Sequence, residues 1–249
     1  MAVTASVDEA GYVWASLLTG PPGFLKAMND EVLHIAARLA SEDLLARNLA
    51  AKPDLGVLVI DLAKRRRLRV NGRALLDGDK ILLSVEQAYA QCPKHIRPRR
   101  VEPVQGARSE RKSSELDVDQ LVWIADADLF FVASHHPNGG ADASYRGGPP
   151  GFVRLLGPRS LSFSDYPGES MLSTLGNVQG QPRVGLLFLD LDAGSTLQLT
   201  GRASLSWDPA AAADPDRPRA VVSFELDLAF ESHGCGVRGA LVEDATAER

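Results

Sequence analysis

Five residues, Gly20-Pro21-Pro22-Gly23-Phe24, recur as Gly148-Pro149-Pro150-Gly151-Phe152, 128 positions further on. The flanks keep the same spacing: Ala5-Ser6 matches Ala133-Ser134, Gly11 matches Gly139, and Ala15-Ser16 matches Ala143-Ser144. After a one-residue insertion the spacing becomes 129. Asn48, Pro53, Gly56 and Asp61 then match Asn177, Pro182, Gly185 and Asp190, and Gly72-Arg73-Ala74 matches Gly201-Arg202-Ala203. This period is far longer than the roughly 20–50 residues of solenoid repeats, so the chain reads as a duplicated domain. At 249 residues it has room for two units, each large enough to bury its own core.

The sequence divides into a first domain over 1–100, a linker over 101–116 and a second domain over 117–249. The formal charge of −5 argues against a general nucleic-acid binder. Cys92 and Cys235 form neither a disulfide framework nor a zinc pattern, which fits a reducing cytoplasm. No run approaches the roughly 18 apolar residues of a membrane span, and the N-terminus lacks a signal-peptide pattern.

In the first copy, strands are expected at Ala2–Ser6, Tyr12–Leu18, Glu31–Ala36, Leu55–Leu62, Leu68–Leu75 and Lys80–Val85. A helix is expected over Ser41–Ala51, with Ser41 able to cap it. Lys64–Arg67 reads as a charged hairpin turn. Val101–Leu116 is polar and mixed in charge, hence the linker. Asp117–Ala127 has helical spacing. The second copy then repeats the first, with strands at Leu129–Ser134, Leu186–Leu191, Thr196–Trp207 and Ala220–Glu231. Short hairpins favour antiparallel pairing, and closure into a small barrel removes exposed edges.

With these residues in view, the chain resembles the pyridoxamine 5′-phosphate oxidase-like, FMN-binding split-barrel family, in its predicted flavin-nucleotide-binding branch. The resemblance covers nearly the whole chain. It is most specific over Ala141–Phe152, and continues through Asp165-Tyr166-Pro167-Gly168, Thr174–Asn177, Gly185–Asp190 and Leu197–Ala203. It implies a mainly β fold of two tandem split β-barrels, antiparallel and of Greek-key type, with a few short helices. It also implies FMN held in the crease between two barrels. A duplicated chain can supply that pair as an internal pseudo-dimer, and a further homodimer stays open.

A phosphate needs positive charge and several aimed donors. Arg146 precedes the Gly-Pro-Pro-Gly loop, Gly147 and Gly148 offer backbone donors, and Ser144 shares the strand face of Arg146 by period two. Gly168, Glu169 and Ser170 stand at a predicted helix N-terminus. Thr196 and Gln198, on the long return strand, are candidates for the flavin ring. The first copy has Leu18 in place of Arg146 and Thr19 in place of Gly147, so it is expected to be the structural partner. The two Gly-Pro-Pro-Gly loops, kept in both copies, are expected mainly to shape the chain.

Other signals are weaker. Gly234–Gly239 matches a dinucleotide fingerprint but leaves no room for the helix and strand that should follow. His135, His136 and His233 lack the pairing of a metal set. Arg65–Arg67 reads as a solvated turn. The Lys94–Arg100 cluster is a second candidate for facing the crease, with Cys92 beside it.

The resemblance implies an FMN-dependent oxidoreductase acting on an unknown small molecule, with no nucleic-acid or membrane partner and no protein acid or base named. The rival readings are a non-catalytic flavin-binding or assembly module, which the carboxylate of Glu169 favours, and the same fold holding heme or a deazaflavin.

Overall fold

The computed structural model describes residues 1–37, 39, 43–91, 93, 95–104, 106–166, 172–208 and 218–242. The first copy supplies β1 (Ala2–Val7), β2 (Val13–Leu18), β3 (Leu25–Ala27), β4 (Val32–Ile35), α1 (Leu44–Ala51), β5 (Asp54–Asp61), β6 (Arg66–Asp77) and β7 (Lys80–Ala90). The connecting segment holds β8 (Arg99–Pro103) and β9 (Ser109–Ser113). The second copy supplies α2 (Val118–Asp126), β10 (Leu129–His136), β11 (Gly140–Gly147), β12 (Val153–Gly157), β13 (Ser160–Asp165), α3 (Leu172–Gly180), β14 (Arg183–Asp190), β15 (Ser195–Trp207), β16 (Ala220–His233) and β17 (Val237–Leu241).

The two sheets have one topology. The first runs β2-β1-β5-β6-β7-β4-β3 and the second β11-β10-β14-β15-β16-β13-β12, antiparallel throughout. One irregularity is duplicated as well. A register shift at Asn71/Gly72 in the first barrel is matched at Thr200/Gly201 in the second. The chain is therefore two tandem split barrels, mainly β, with three short helices among the described residues.

The all-apolar strands are explained by two buried faces. On β5, Leu55 and Val57 fill the first barrel, whereas Leu58 and Ile60 face the other barrel. On β10, Phe130 and Val132 fill the second barrel, whereas Phe131 and Ala133 face the first. A strand between two cores loses the apolar/polar alternation of a half-exposed strand. Where the sheets cross, the backbones come close. A Cβ added to Gly56 would stand 2.6 Å from the Ala141 carbonyl oxygen, and one at Gly185 would stand 2.6 Å from that of Val13. Only glycine fits such an approach, which explains why the repeat retains both.

The Gly-Pro-Pro-Gly loops do shape the chain. Gly23 and Gly151 adopt positive φ (91° and 85°), and the next residue's N–H returns to Pro21 or Pro149 at 3.0 Å. Phe24 and Phe152 are thereby laid over Gly20 and Gly148. Phe24 joins the first core, and Phe152 lies 5.6 Å from the Phe130 ring.

Several expectations need correction. The residues read as a linker carry secondary structure: β8 pairs with β17, and β9 pairs with β16. The cap of α1 is Asp43, whose carboxylate accepts from Leu45 N–H at 3.0 Å, while Ser41 lies outside the described residues. Arg67 is buried on β6, its guanidinium over the Tyr145 ring, and is not part of a solvated turn. Gly234–Gly239, already discounted as a dinucleotide fingerprint, forms a bend and the start of β17.

Candidate functional site

The pseudo-twofold relation creates two creases between the barrels. In the first, β6 of the leading barrel faces β11 and α3 of the trailing one. In the second, β15 faces β2 and α1. Each is framed by the same asparagine. Asn48 Nδ2 donates to Ser6 Oγ at 2.9 Å, and its mate Asn177 donates to Ser134 Oγ at 3.0 Å.

The first crease is basic. Period two places Arg67, Arg69 and Asn71 on one face of β6, and Asp142, Ser144 and Arg146 on one face of β11. Arg69 is 1% exposed. Its Nη1 lies 2.9 Å from Asp142 Oδ1 and 3.0 Å from both Tyr89 Oη and Ser173 Oγ, and its Nη2 donates to Ser144 Oγ at 3.1 Å. Thr174 Oγ1 lies 2.7 Å from Ser144 Oγ and donates to Asp142 Oδ2 at 3.0 Å. Asn71 Nδ2 donates to Asp142 Oδ1 at 3.2 Å. Burial pushes the Asp142 carboxyl up, and Arg69, Asn71 and Thr174 oppose that shift. Beside this network a cavity of about 380 Å³ is lined by Asn71, Gln87, His136, Asp142, Ser173 and Asn177.

The second crease repeats the frame without the buried arginines. By the repeat spacing, Arg67 becomes Thr196, Arg69 becomes Gln198, and Arg146 becomes Leu18. Gln198 Nε2 donates to Ser16 Oγ at 3.0 Å and to the Ala15 carbonyl at 2.7 Å. Ser16 is the mate of Ser144, so the Arg69–Ser144 contact recurs here between neutral groups.

The expected site residues are divided by this arrangement. Ser144 and Arg146 belong to the basic crease. Arg146 is buried and its Nη2 donates to Asp165 Oδ1 at 3.0 Å, a pair that is almost wholly enclosed. Gly147 ends the β11 ladder opposite Leu129, packed against the His95 carbonyl. Gly148 N–H is used inside the barrel, donating to the Asp128 carbonyl at 3.0 Å, and is not aimed at the crease. Thr196 and Gln198 line the opposite crease, away from Arg146. Gly168, Glu169 and Ser170 lie outside the described residues, as do Cys92 and Lys94.

The rest of the basic cluster serves another purpose. Arg97 Nη1 reaches Asp128 Oδ2 at 2.9 Å, and Arg99 holds both carboxylate oxygens of Asp128. These residues border a cavity of about 720 Å³ that also includes Trp123, Asp126 and Asp190. His233 bonds Ser195 and Glu231, and no cluster of metal-ligating side chains occurs among the described residues.

A family model described as pyridoxamine 5′-phosphate oxidase matches residues 1–112 and matches again over 117–227. The chain belongs to the pyridoxamine 5′-phosphate oxidase family. The two matches fall on the two barrels, so the family's unit is present twice. Solved structures similar to this family member include tagged HupZ of Group A Streptococcus (16% identity, 45% of this chain and 92% of that one, TM-score 0.35). A Clostridium acetobutylicum protein related to general stress protein 26 gives 11% identity over 50% and 93% of the two chains, TM-score 0.36. An F420 reductase gives 15% identity over 43% and 92%, TM-score 0.33. No curated protein gives a significant match. Among the described residues, no helix is long and apolar enough to cross a membrane.

Proposed function

We propose that this family member binds a flavin nucleotide, FMN, in the basic crease, and that it is an FMN-dependent oxidoreductase acting on a small molecule. One observation carries the reading. Three buried arginines, Arg67, Arg69 and Arg146, stand in one crease where the twofold mate has Thr196, Gln198 and Leu18. Buried cations are costly unless they serve a partner or a ligand. Confining all three to one of two otherwise matched creases suits an anion held on one side.

The donor chemistry fits a phosphate. Arg69 and Arg146, with the hydroxyls of Ser144, Ser173 and Thr174, would hold it by charge-assisted hydrogen bonds. When bound, the flavin supplies the hydride and electron transfer chemistry. The chain's own part is binding, orientation and exclusion of water. Arg69 is already held by Asp142 at 2.9 Å, so a bound phosphate would share that guanidinium with the Asp142 carboxylate. Both barrels contribute to the site, so one chain forms it as an internal pseudo-dimer.

A second reading has its own support. The enclosed Arg146–Asp165 pair already neutralises the expected phosphate clamp, which suits a barrel that has lost its cofactor and serves assembly. An absorption spectrum of the purified protein after incubation with FMN separates the two. Flavin bands that survive desalting, and are lost in Arg69→Gln, support the first. A colourless protein supports the second, and a Soret band would assign heme instead.

A further inference from the structure

The second crease opens into a cavity of different chemistry from the first. About 540 Å³ lies between the β1–β2 hairpin, α1, β9 and β16, walled by Tyr12, Trp14, Leu228 and Phe230, with the cations Arg47 and Lys112 and the carboxylates Asp8 and Glu9 also in its lining. It is the twofold mate of the 380 Å³ cavity beside Asp142. The repeat spacing sets Trp14 against Asp142 and Arg47 against Gly176, and the ladder register sets Leu228 against Gln87. The polar lining of one crease has become an aromatic lining in the other.

The aromatic walls are held in place. Trp14 Nε1 donates to Asp8 Oδ2 at 3.0 Å, and Tyr12 N–H donates to Asp8 Oδ1 at 2.8 Å, so both carboxylate oxygens are engaged. Arg183 stands 4.8 Å from the Tyr12 ring centroid. Lys112 faces Phe230 across the β9–β16 ladder, with Nζ 5.3 Å from its ring. The connecting segment thus adds a cation to this cavity. Arg47 and Lys112 are both exposed cations on its rim.

We infer that this second crease is a separate binding site for a small planar aromatic carboxylate. The ring would lie against Trp14, Leu228 and Phe230, where aromatic pairs gain about 0.5–1.5 kcal/mol beyond burial. The carboxylate would meet Arg47 and Lys112. The volume falls in the range of about 300–1,000 Å³ common for small-ligand sites. The site does not depend on what the basic crease holds.

The test is a titration of the full chain with 2-naphthoate, followed by calorimetry and tryptophan fluorescence, with 2-naphthalenemethanol as the uncharged comparator. One saturable site is expected, with fluorescence quenching at Trp14. Arg47→Ala/Lys112→Ala should weaken naphthoate about tenfold, which is about 1.4 kcal/mol, and leave the alcohol within about twofold. Leu228→Glu, at a partly exposed position, should remove binding with the melting curve unchanged. Three results would overturn the inference: no saturation up to about 5 mM naphthoate, equal binding to the double variant, or displacement of naphthoate by FMN.

Discussion

Arg69 Nη2 on β6 donates to Ser144 Oγ on β11 at 3.1 Å, so a buried arginine of the first barrel forms part of the second. In the other crease Gln198 makes the same contact to Ser16 at 3.0 Å. The pair of contacts shows what the duplication kept, a hydroxyl bonded across the interface, and what it varied, the charge on the donor.

Arg69→Gln installs the residue that the twofold mate already uses. The bond to Ser144 can be remade, but Asp142 loses its counter-charge while buried. A loss of about 3–5 kcal/mol is expected, measured from the urea midpoint at constant m-value. Adding Asp142→Asn should recover most of it. If the double variant is no more stable than the single, the Arg69–Asp142 pair is not the main interaction of Arg69.

Gly56→Ala and Gly185→Ala each place a methyl group against the backbone of the other barrel, near Ala141 and Val13 respectively. Each should cost about 1–3 kcal/mol through overpacking, seen as a lower melting temperature. The two effects should be similar, because the crossings are twofold mates.

The frame asparagines give a gentler version of that comparison. Asn48→Ala and Asn177→Ala each remove a side-chain hydrogen bond, to Ser6 and Ser134. Each should cost about 1–2 kcal/mol by chemical denaturation. A large inequality would mean that the two creases are not equivalent as scaffolds.

Asp128 sets an acid dependence. Burial works against its carboxylate, but Arg99 and Arg97 outweigh that and hold it below the usual range. A depressed carboxylate stabilises the fold above its unfolded pKa, and this contribution is lost as pH falls through the lower folded value. Asp128→Asn should therefore cost about 1–2 kcal/mol near pH 7 and almost nothing in strong acid, read from denaturation at a series of pH values. Asp142 acts with the opposite sign. Its raised carboxyl makes the folded chain bind protons more tightly, so its contribution falls as pH rises through that raised value.

The fold was legible because duplication writes the same constraints twice. Gly56 and Gly185, Ser6 and Ser134, and Asn48 and Asn177 all stand at matched structural positions. The strand β9 was not legible. Its sequence Ser109-Glu110-Arg111-Lys112-Ser113 is polar on both faces and largely exposed, so it carries no alternation. Arg69 was hidden for a related reason. It lies in the charged run Arg65–Arg69, where apolar Leu68 is 42% exposed and Arg67 and Arg69 are buried, the reverse of the hydrophobic rule. The signal lay in the repeat: Thr196 and Gln198, read as ring candidates, align with Arg67 and Arg69. Arg146 was legible as a special position. Its pairing with Asp165, 19 residues on, needed the β11-to-β13 geometry.

The direct test of the account is the number of FMN molecules bound per chain at saturation, measured by calorimetry on the purified full chain and repeated with Arg69→Gln/Asp142→Asn. One crease with buried arginines and one without them predict a single FMN per chain, and binding weakened at least about tenfold in the variant. Two FMN per chain, none at all, or one bound equally well by the variant would contradict it.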